Sequence, residues 1–199
     1  MMLDPITIIK AVGIVGVILI VFAETGLFFG FFFPGDSLLF TAGIFASQGY
    51  LSIGVLLVGC IIAAILGDSV GYWSGKKYGR GLFNRDESFF FKKKRLYEAE
   101  MFYEKHGKFT IIIARFVPII RTFAPIVAGI GKMNYKTFIS YNIFGGIVWV
   151  PLLLLSGYFL GSLIPNPDKY VIPIAFVIIV ISFLPIVIKM ISLKFKKHS

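Results

Sequence analysis

The stretch from Phe109 to Asn134, FTIIIARFVPIIRTFAPIVAGIGKMN, decides how the rest of the chain folds. It is long and apolar enough to enter a bilayer, but two arginines and two prolines interrupt it: Arg115, Arg121, Pro118 and Pro125. An arginine at the centre of a membrane helix costs roughly 2.5–3.5 kcal/mol on insertion scales. Proline removes a backbone donor, and broken backbone at membrane depth is stable only inside protein or beside a wet cavity. We therefore expect a broken segment whose arginines bind something.

The composition is that of a polytopic helical membrane protein. Of 199 residues, 57% are hydrophobic and 15% are charged, and apolar tracts of about one membrane span recur. The formal net charge of +10 does not indicate nucleic acid, because the basic residues cluster in short segments beside apolar tracts, where cytoplasmic loops contact anionic lipid. The single cysteine, Cys60, forms no disulfide framework and no metal-ligand spacing, so we expect neither a metal nor another cofactor.

The pattern of apolar segments predicts an all-α fold. Full-length helices are expected over 6–22, 51–75, 137–162 and 171–190. A second broken segment covers 24–47, where Pro-Gly-Asp interrupts apolar sequence, and Asp36 or Ser37 can cap a half-helix through Leu38 to Ala46. Residues 80–108 are polar and predict an amphipathic helix on the membrane surface.

The distribution of lysine and arginine predicts the topology. The linker 80–108 and the C-terminal tail KFKKHS are both basic, so both should be cytoplasmic. Three full spans after the linker would leave the tail outside, so 109–131 is expected to be a re-entrant hairpin from the cytoplasm. By the same count, 24–47 is a re-entrant hairpin from outside. The chain is thus expected to be a multi-pass protein of the inner (plasma) membrane with both termini cytoplasmic.

An internal repeat supports this organisation. Shifting the chain so that residue 42 aligns with residue 128 also places Gly71-Tyr72 and Gly75 on Gly157-Tyr158 and Gly161. The prediction is one integral membrane domain over 1–199 with two inverted repeats, 24–79 and 109–163. Each repeat is a broken hairpin followed by a transmembrane helix, with N- and C-terminal helices added. Inverted repeats of broken helices are typical of secondary transporters, whose sites lie where the broken helices meet.

Four charged residues form the strongest candidate site. Glu24 and Asp36 lie on one broken hairpin, and Arg115 and Arg121 lie on the other. Half-helices beginning near Asp36 and near Thr122 would point their positive ends into one region, which favours an anion, and arginine binds phosphate through a planar fork of donors. The alternative is that the four groups only neutralise one another as buried ion pairs.

Three further residues are candidates for supporting roles. Thr122 follows Arg121 directly, and Asn142 can hydrogen-bond unwound backbone from the next helix. Asp68 is the polar exception in its apolar helix, where it can cap or pair locally with Lys76. Trp149 is expected to pack.

At these motifs the sequence resembles the DedA family of membrane proteins, whose eukaryotic relatives carry the VTT domain. The resemblance rests on FFPGDSLLFTAG, GDSVGYWSGKKYG and RFVPIIRTFAPIVAGIGKMNYKTF, and on the later Asn142 and Gly157-Tyr158. It implies lipid translocation, either recycling of undecaprenyl phosphate or movement of phosphatidylethanolamine. It also implies that Glu24 and Asp36 are the essential acids and that Arg115 and Arg121 are the essential arginines.

The sequence therefore predicts a flippase and not an enzyme. Arg115 and Arg121 would hold the phosphate headgroup of a phospholipid or polyprenyl phosphate, while Glu24 and Asp36 exchange protons as the hairpins rock. A proton-coupled carrier of small ions or drugs could use the same acids. An intramembrane lipid phosphatase would want a histidine, and both histidines, His106 and His198, lie outside the apolar tracts. The oligomeric state stays open, a homo-oligomer included.

Overall fold

The fold is helical throughout the residues that the structure, a computed structural model, describes: 5–27, 35–82, 111–112, 115–116 and 118–163. The helices in these ranges are α1 (Pro5–Gly26), α2 (Gly35–Ser47), α3 (Ile53–Leu82), α4 (Pro118–Ile130) and α5 (Tyr135–Ser162). The described ranges contain no β-strand. The expected all-α class is therefore confirmed. The surface helix expected within 80–108 lies outside these ranges from residue 83 onward, as does the helix expected over 171–190.

Two of the helices are long and apolar enough to cross a membrane. They are α3, over Ile53–Tyr78, and α5, over Tyr135–Ser162. Along α3 the exposed apolar side chains recur every three or four residues and so lie on one face of the helix: Val55, Val58, Ile62, Leu66, Val70 and Trp73. Such a face is suited to lipid. The re-entrant course of the hairpins and the inversion of the repeats stay predictions.

Helix boundaries differ from the expected ones around both breaks. Glu24 lies in the last turn of α1, not at the start of a new segment. The half-helix expected near Thr122 begins instead at Pro118, because proline is well suited to a first helical turn, where its missing donor is not needed. A turn at 115–116 precedes it, and Pro125 lies inside α4. Arg115 therefore lies in the turn before α4, and Arg121 lies in the first turn of α4.

Glycines let each short helix pack closely on the long helix of the other proposed repeat. On α2, a Cβ at Gly43 would overlap the Leu154 carbonyl oxygen of α5, and Gly157 of α5 similarly meets Phe40. On α4, a Cβ at Gly129 would overlap the Tyr72 carbonyl of α3, and Gly75 meets Ile126. Close backbone approach at small residues is how membrane helices associate. The short helices thus pack on the long helices of the opposite proposed repeat, α2 on α5 and α4 on α3.

Replacing Gly43 by alanine should destabilise the protein. The new methyl group meets backbone atoms of α5, which no side-chain rotation can move, and such overpacking costs about 1–3 kcal/mol. Gly54→Ala is the matched control, because a Cβ there meets nothing within 4 Å. Thermal unfolding in detergent should show a clear loss for Gly43→Ala and none for Gly54→Ala. Equal unfolding temperatures would contradict the close α2–α5 contact.

Two apolar clusters fill the helix interfaces. The larger one combines α1, α2, α3 and α5 and includes Val21, Leu39, Cys60 and Trp149. The smaller one centres on Tyr72 of α3, which stacks on Phe138 of α5 with ring centroids 4.7 Å apart. Since Val21 lies one turn before Glu24, the larger cluster adjoins the charged residues described next.

Candidate functional site

The first part of the site is a buried arginine held between two carboxylates. Arg121 of α4 donates through Nη2 to Glu24 of α1 and through Nη1 to Asp36 of α2. Trp149 of α5 donates from Nε1 to the same Asp36 oxygen over 3.1 Å, and its ring lies 4.7 Å from the Arg121 guanidinium carbon. Four helices thus converge on one guanidinium.

The start of α2 is shaped around the Glu24 carboxylate. Gly35 is the first residue of α2, and a Cβ there would overlap Glu24. The carboxylate therefore lies at a helix N-terminus, where unpaired N–H groups and the helix dipole favour an anion. Only glycine allows this approach. Arg121 thus meets both of the acids singled out in the sequence, and here the Glu24 carboxylate takes the position of the anion.

The second part of the site surrounds Arg115 in the turn before α4. Its Nη2 donates to Asp68 of α3 and to Asn142 of α5. Asn142 is fixed in turn, because its Nδ2 donates to the Ile65 carbonyl of α3 over 3.0 Å. The stem of Arg115 crosses α5 at Gly145, where a Cβ would lie 2.6 Å from the Arg115 Cδ. Asp68 thus pairs with an arginine distant in sequence, where the sequence suggested a local cap or Lys76.

The two parts are electrostatically connected. Arg121 lies close enough to interact with both Asp68 and Arg115. Together they contain two guanidiniums and three carboxylates, and four of these five side chains are nearly inaccessible. Asp36 is the exception, with 37% of its side chain exposed against 2% for Glu24. Among the five charged side chains, Asp36 is therefore the one that is open to the surroundings of the protein.

Some buried polar atoms at the site have no hydrogen-bond partner among the described residues. These atoms include the Nε donors of both arginines and the hydroxyl of Thr122. Thr122 is 1% exposed and follows Arg121 on α4. Buried polar groups without partners are uncommon in native proteins. These donors are therefore available in the interior for a partner that the described residues do not supply.

Comparison with known proteins shows the family of the chain. A model of the VTT domain matches residues 33–159, which include both arginines, Asp36 and Asp68. Protein DedA of Escherichia coli is 48% identical over 178 residues, which cover 88% of this chain and 81% of that protein. The chain belongs to the DedA family. The family resemblance suggested by the sequence motifs is thereby confirmed.

Further DedA-family relatives are also named as membrane proteins. Rv0364 of Mycobacterium tuberculosis, a membrane protein, is 42% identical over 191 residues, covering 92% of this chain and 83% of its own. Inner membrane protein YqjA of Escherichia coli is 32% identical over 143 residues, covering 72% of this chain and 65% of its own. No solved structure is significantly similar. We conclude that this is a DedA-family membrane protein.

Two residues at this DedA-family site gained importance only from the structure. Trp149 was expected to pack, yet it donates a hydrogen bond to Asp36 as well. Its spacing of seven residues from Asn142 was a usable signal, because such positions share one helix face. Gly35 had no signal beyond its place in Pro-Gly-Asp. Among the described residues, no cluster of His, Cys, Asp or Glu could hold a metal ion.

Proposed function

We propose that this protein moves a phosphate-headed lipid across the membrane and that the buried cluster is its headgroup site. The observation that carries the proposal is the Arg121 guanidinium, buried between Glu24 and Asp36 from two other helices. Apolar residues of the same volume would stabilise a membrane protein at least as well as a buried ion pair of this kind. The cluster is therefore better explained by a ligand that exchanges with its carboxylates.

Phosphate is the ligand that suits this exchange. A guanidinium presents parallel N–H donors that match two oxygens of either a carboxylate or a phosphate. Glu24 already occupies the anion position at the start of α2, and Asp36 occupies a second acceptor position on Arg121. An incoming phosphate can replace a carboxylate oxygen at either place without any new donor.

A lipid is favoured over a soluble phosphate by the surroundings of the cluster. The helices that form it carry exposed apolar faces, including Phe144, Ile147 and Leu152 on α5. Acyl chains can remain against such faces while the polar headgroup alone crosses through the charged site. Phospholipids such as phosphatidylethanolamine and the polyprenyl carrier undecaprenyl phosphate both have this form.

The charge of the cluster supports the proposal of proton coupling. With every group ionised, three carboxylates outnumber two guanidiniums, so the buried site has an excess negative charge that a phosphate would increase. Buried charge without compensation is strongly unfavourable. Uptake of protons by Glu24 and Asp36 as the phosphate binds would restore the balance. We propose that this exchange couples transport to the proton gradient.

The same reasoning sets the orientation and ranks the alternatives. We place the protein in the plasma (inner) membrane with both termini in the cytoplasm, because the basic segments favour that side. A carrier of small ions or drugs would use the acids but would not need two buried arginines. A lipid phosphatase would typically use a histidine for its chemistry, and both histidines of the chain lie outside the apolar tracts.

Lipid translocation in reconstituted vesicles tests the proposal. A fluorescent phosphate-headed lipid should become accessible to a membrane-impermeant quencher faster in vesicles containing the protein than in protein-free vesicles. A fluorescent lipid with a neutral sugar headgroup is the control and should not be accelerated. If neither lipid moves faster, or both move equally faster, selective phosphate-lipid transport is excluded.

A further inference from the structure

The two arginines have different surroundings, although the sequence presents them as equivalent. Every group around Arg115 is enclosed: Asp68 is 5% exposed and Asn142 is fully buried. Asn142 is further fixed by its bond to the Ile65 carbonyl, and α5 covers the arginine stem at Gly145. A ligand could reach the Arg115 Nη2 only by displacing Asp68 or Asn142.

Arg121, in contrast, has a partner that can leave. Asp36 is the most exposed carboxylate of the cluster and lies on a different helix from Arg121. When Asp36 moves away, its charge passes toward solvent while Glu24 continues to hold the guanidinium. The Arg121 Nη1 and Trp149 Nε1 donors, which share one Asp36 oxygen, would then be open to an anion. A ligand anion therefore finds donors at Arg121 at little loss.

Charge gives the same distinction. Arg115 and Asp68 form a neutral pair, so displacing Asp68 with a phosphate would leave a carboxylate charge unpaired in the interior, which is strongly unfavourable. Arg121 pairs with two carboxylates. A phosphate can therefore replace Asp36 while Glu24 still neutralises the guanidinium.

We propose that Asp68 and Asn142 are positioning residues that hold Arg115 in a closed neutral unit, and that the lipid phosphate binds at Arg121 by displacing Asp36. This inference rests on the proposed function and assigns different roles to the two arginines. The closed unit joins α3 and α5 to the turn that begins α4, and it thereby sets the position of Arg121.

The test is equilibrium binding of dihexanoyl phosphatidate to the purified protein in maltoside micelles. Asp68→Asn removes the charge that neutralises Arg115 and leaves an excess positive charge in the cluster, so affinity for the anionic phosphatidate should rise by about tenfold, the size of one charge-assisted interaction. A merely structural role for Asp68 predicts an unchanged or lower affinity. Such a result in a folded Asp68→Asn protein would overturn the proposal.

The double variant Asp68→Asn with Arg115→Gln carries the test even if the single variant does not fold. It replaces the ion pair by two amides that can still bond to each other, so affinity should stay within about threefold of wild type, the scatter between independent sites. Its transport should slow, because the position of α4 is less firmly set. A tenfold or greater loss of affinity would mean that Arg115 contacts phosphate, and the inference would be wrong.

A dihexanoyl lipid with a neutral sugar headgroup separates this inference from the proposed function. Wild type should bind the phosphatidate and not the neutral lipid. If wild type binds both lipids equally, the proposed function fails. If wild type discriminates and the double variant does not, only the assignment of Arg115 fails.

Discussion

Arg121→Lys should abolish most lipid transport while leaving the protein folded. Lysine keeps the positive charge that balances Glu24 and Asp36, so the buried cluster retains its ion pairs. It loses the planar fork that binds two oxygens at once. Losing one charge-assisted hydrogen bond costs about 1.5–3 kcal/mol, which is roughly 10- to 150-fold in binding. Translocation of a phosphate-headed lipid in vesicles should fall by a comparable factor.

Two controls separate this effect from instability. Expression and unfolding temperature of Arg121→Lys should stay close to wild type, since charge is conserved. The converse change at an exposed position, Lys136→Arg at the start of α5, should leave transport unaffected. Wild-type transport by Arg121→Lys would indicate that Arg121 only balances charge.

Glu24→Gln and Asp36→Asn should bind the phosphate headgroup and lose the dependence of transport on a proton gradient. Both substitutions imitate the protonated carboxyl group at nearly unchanged size. If binding of phosphate and uptake of protons are linked, each must change the affinity of the other by the same factor. A variant already in the neutral form should therefore bind phosphate at neutral pH without taking up a proton. Gradient-driven transport by reconstituted variants is the measurement.

A purely structural cluster predicts a different outcome for the same variants. Each neutral substitution would then weaken the partner set of Arg121, and removal of one partner from a buried pair destabilises by about 3–5 kcal/mol. Asp36→Asn should be the milder case, because Asp36 is partly exposed. Unfolding temperature, phosphatidate binding and gradient dependence should be measured on one preparation. Stable variants that bind lipid and still respond normally to the gradient would contradict proton coupling.

Much of the fold could be predicted because membrane insertion restricts the options. Apolar length alone indicates the long helices α3 and α5, and Pro-Gly-Asp indicates the start of α2. The repeated glycines aligned the two halves of the chain before their contacts were known. The pairing of α2 with α5, and of α3 with α4, was not predictable, because glycine spacing indicates that a helix approaches another closely without indicating which one.

The charged site was partly predictable for a related reason. Four ionisable residues within apolar segments predict a functional site, because burying a charge without a partner in a membrane is strongly unfavourable. Their pairing is a different matter, because two arginines can be matched with three acids in several ways. Asp68 has a lysine nearby in sequence, but the fold brings Arg115 to it from across the chain. The difference between an enclosed Arg115 and an accessible Asp36 depends on packing, which no local pattern records.

The most direct test of the account is the dipolar coupling between the phosphorus of a bound lipid and the guanidinium nitrogens of Arg121. The protein would carry nitrogen-labelled arginine, and dihexanoyl phosphatidate in frozen maltoside micelles would be the only source of phosphorus. We predict a coupling that corresponds to hydrogen-bond distance in wild type and that disappears in Arg121→Lys. If wild type and Arg121→Lys, both saturated with lipid, show the same couplings between phosphorus and arginine nitrogens, the account is contradicted.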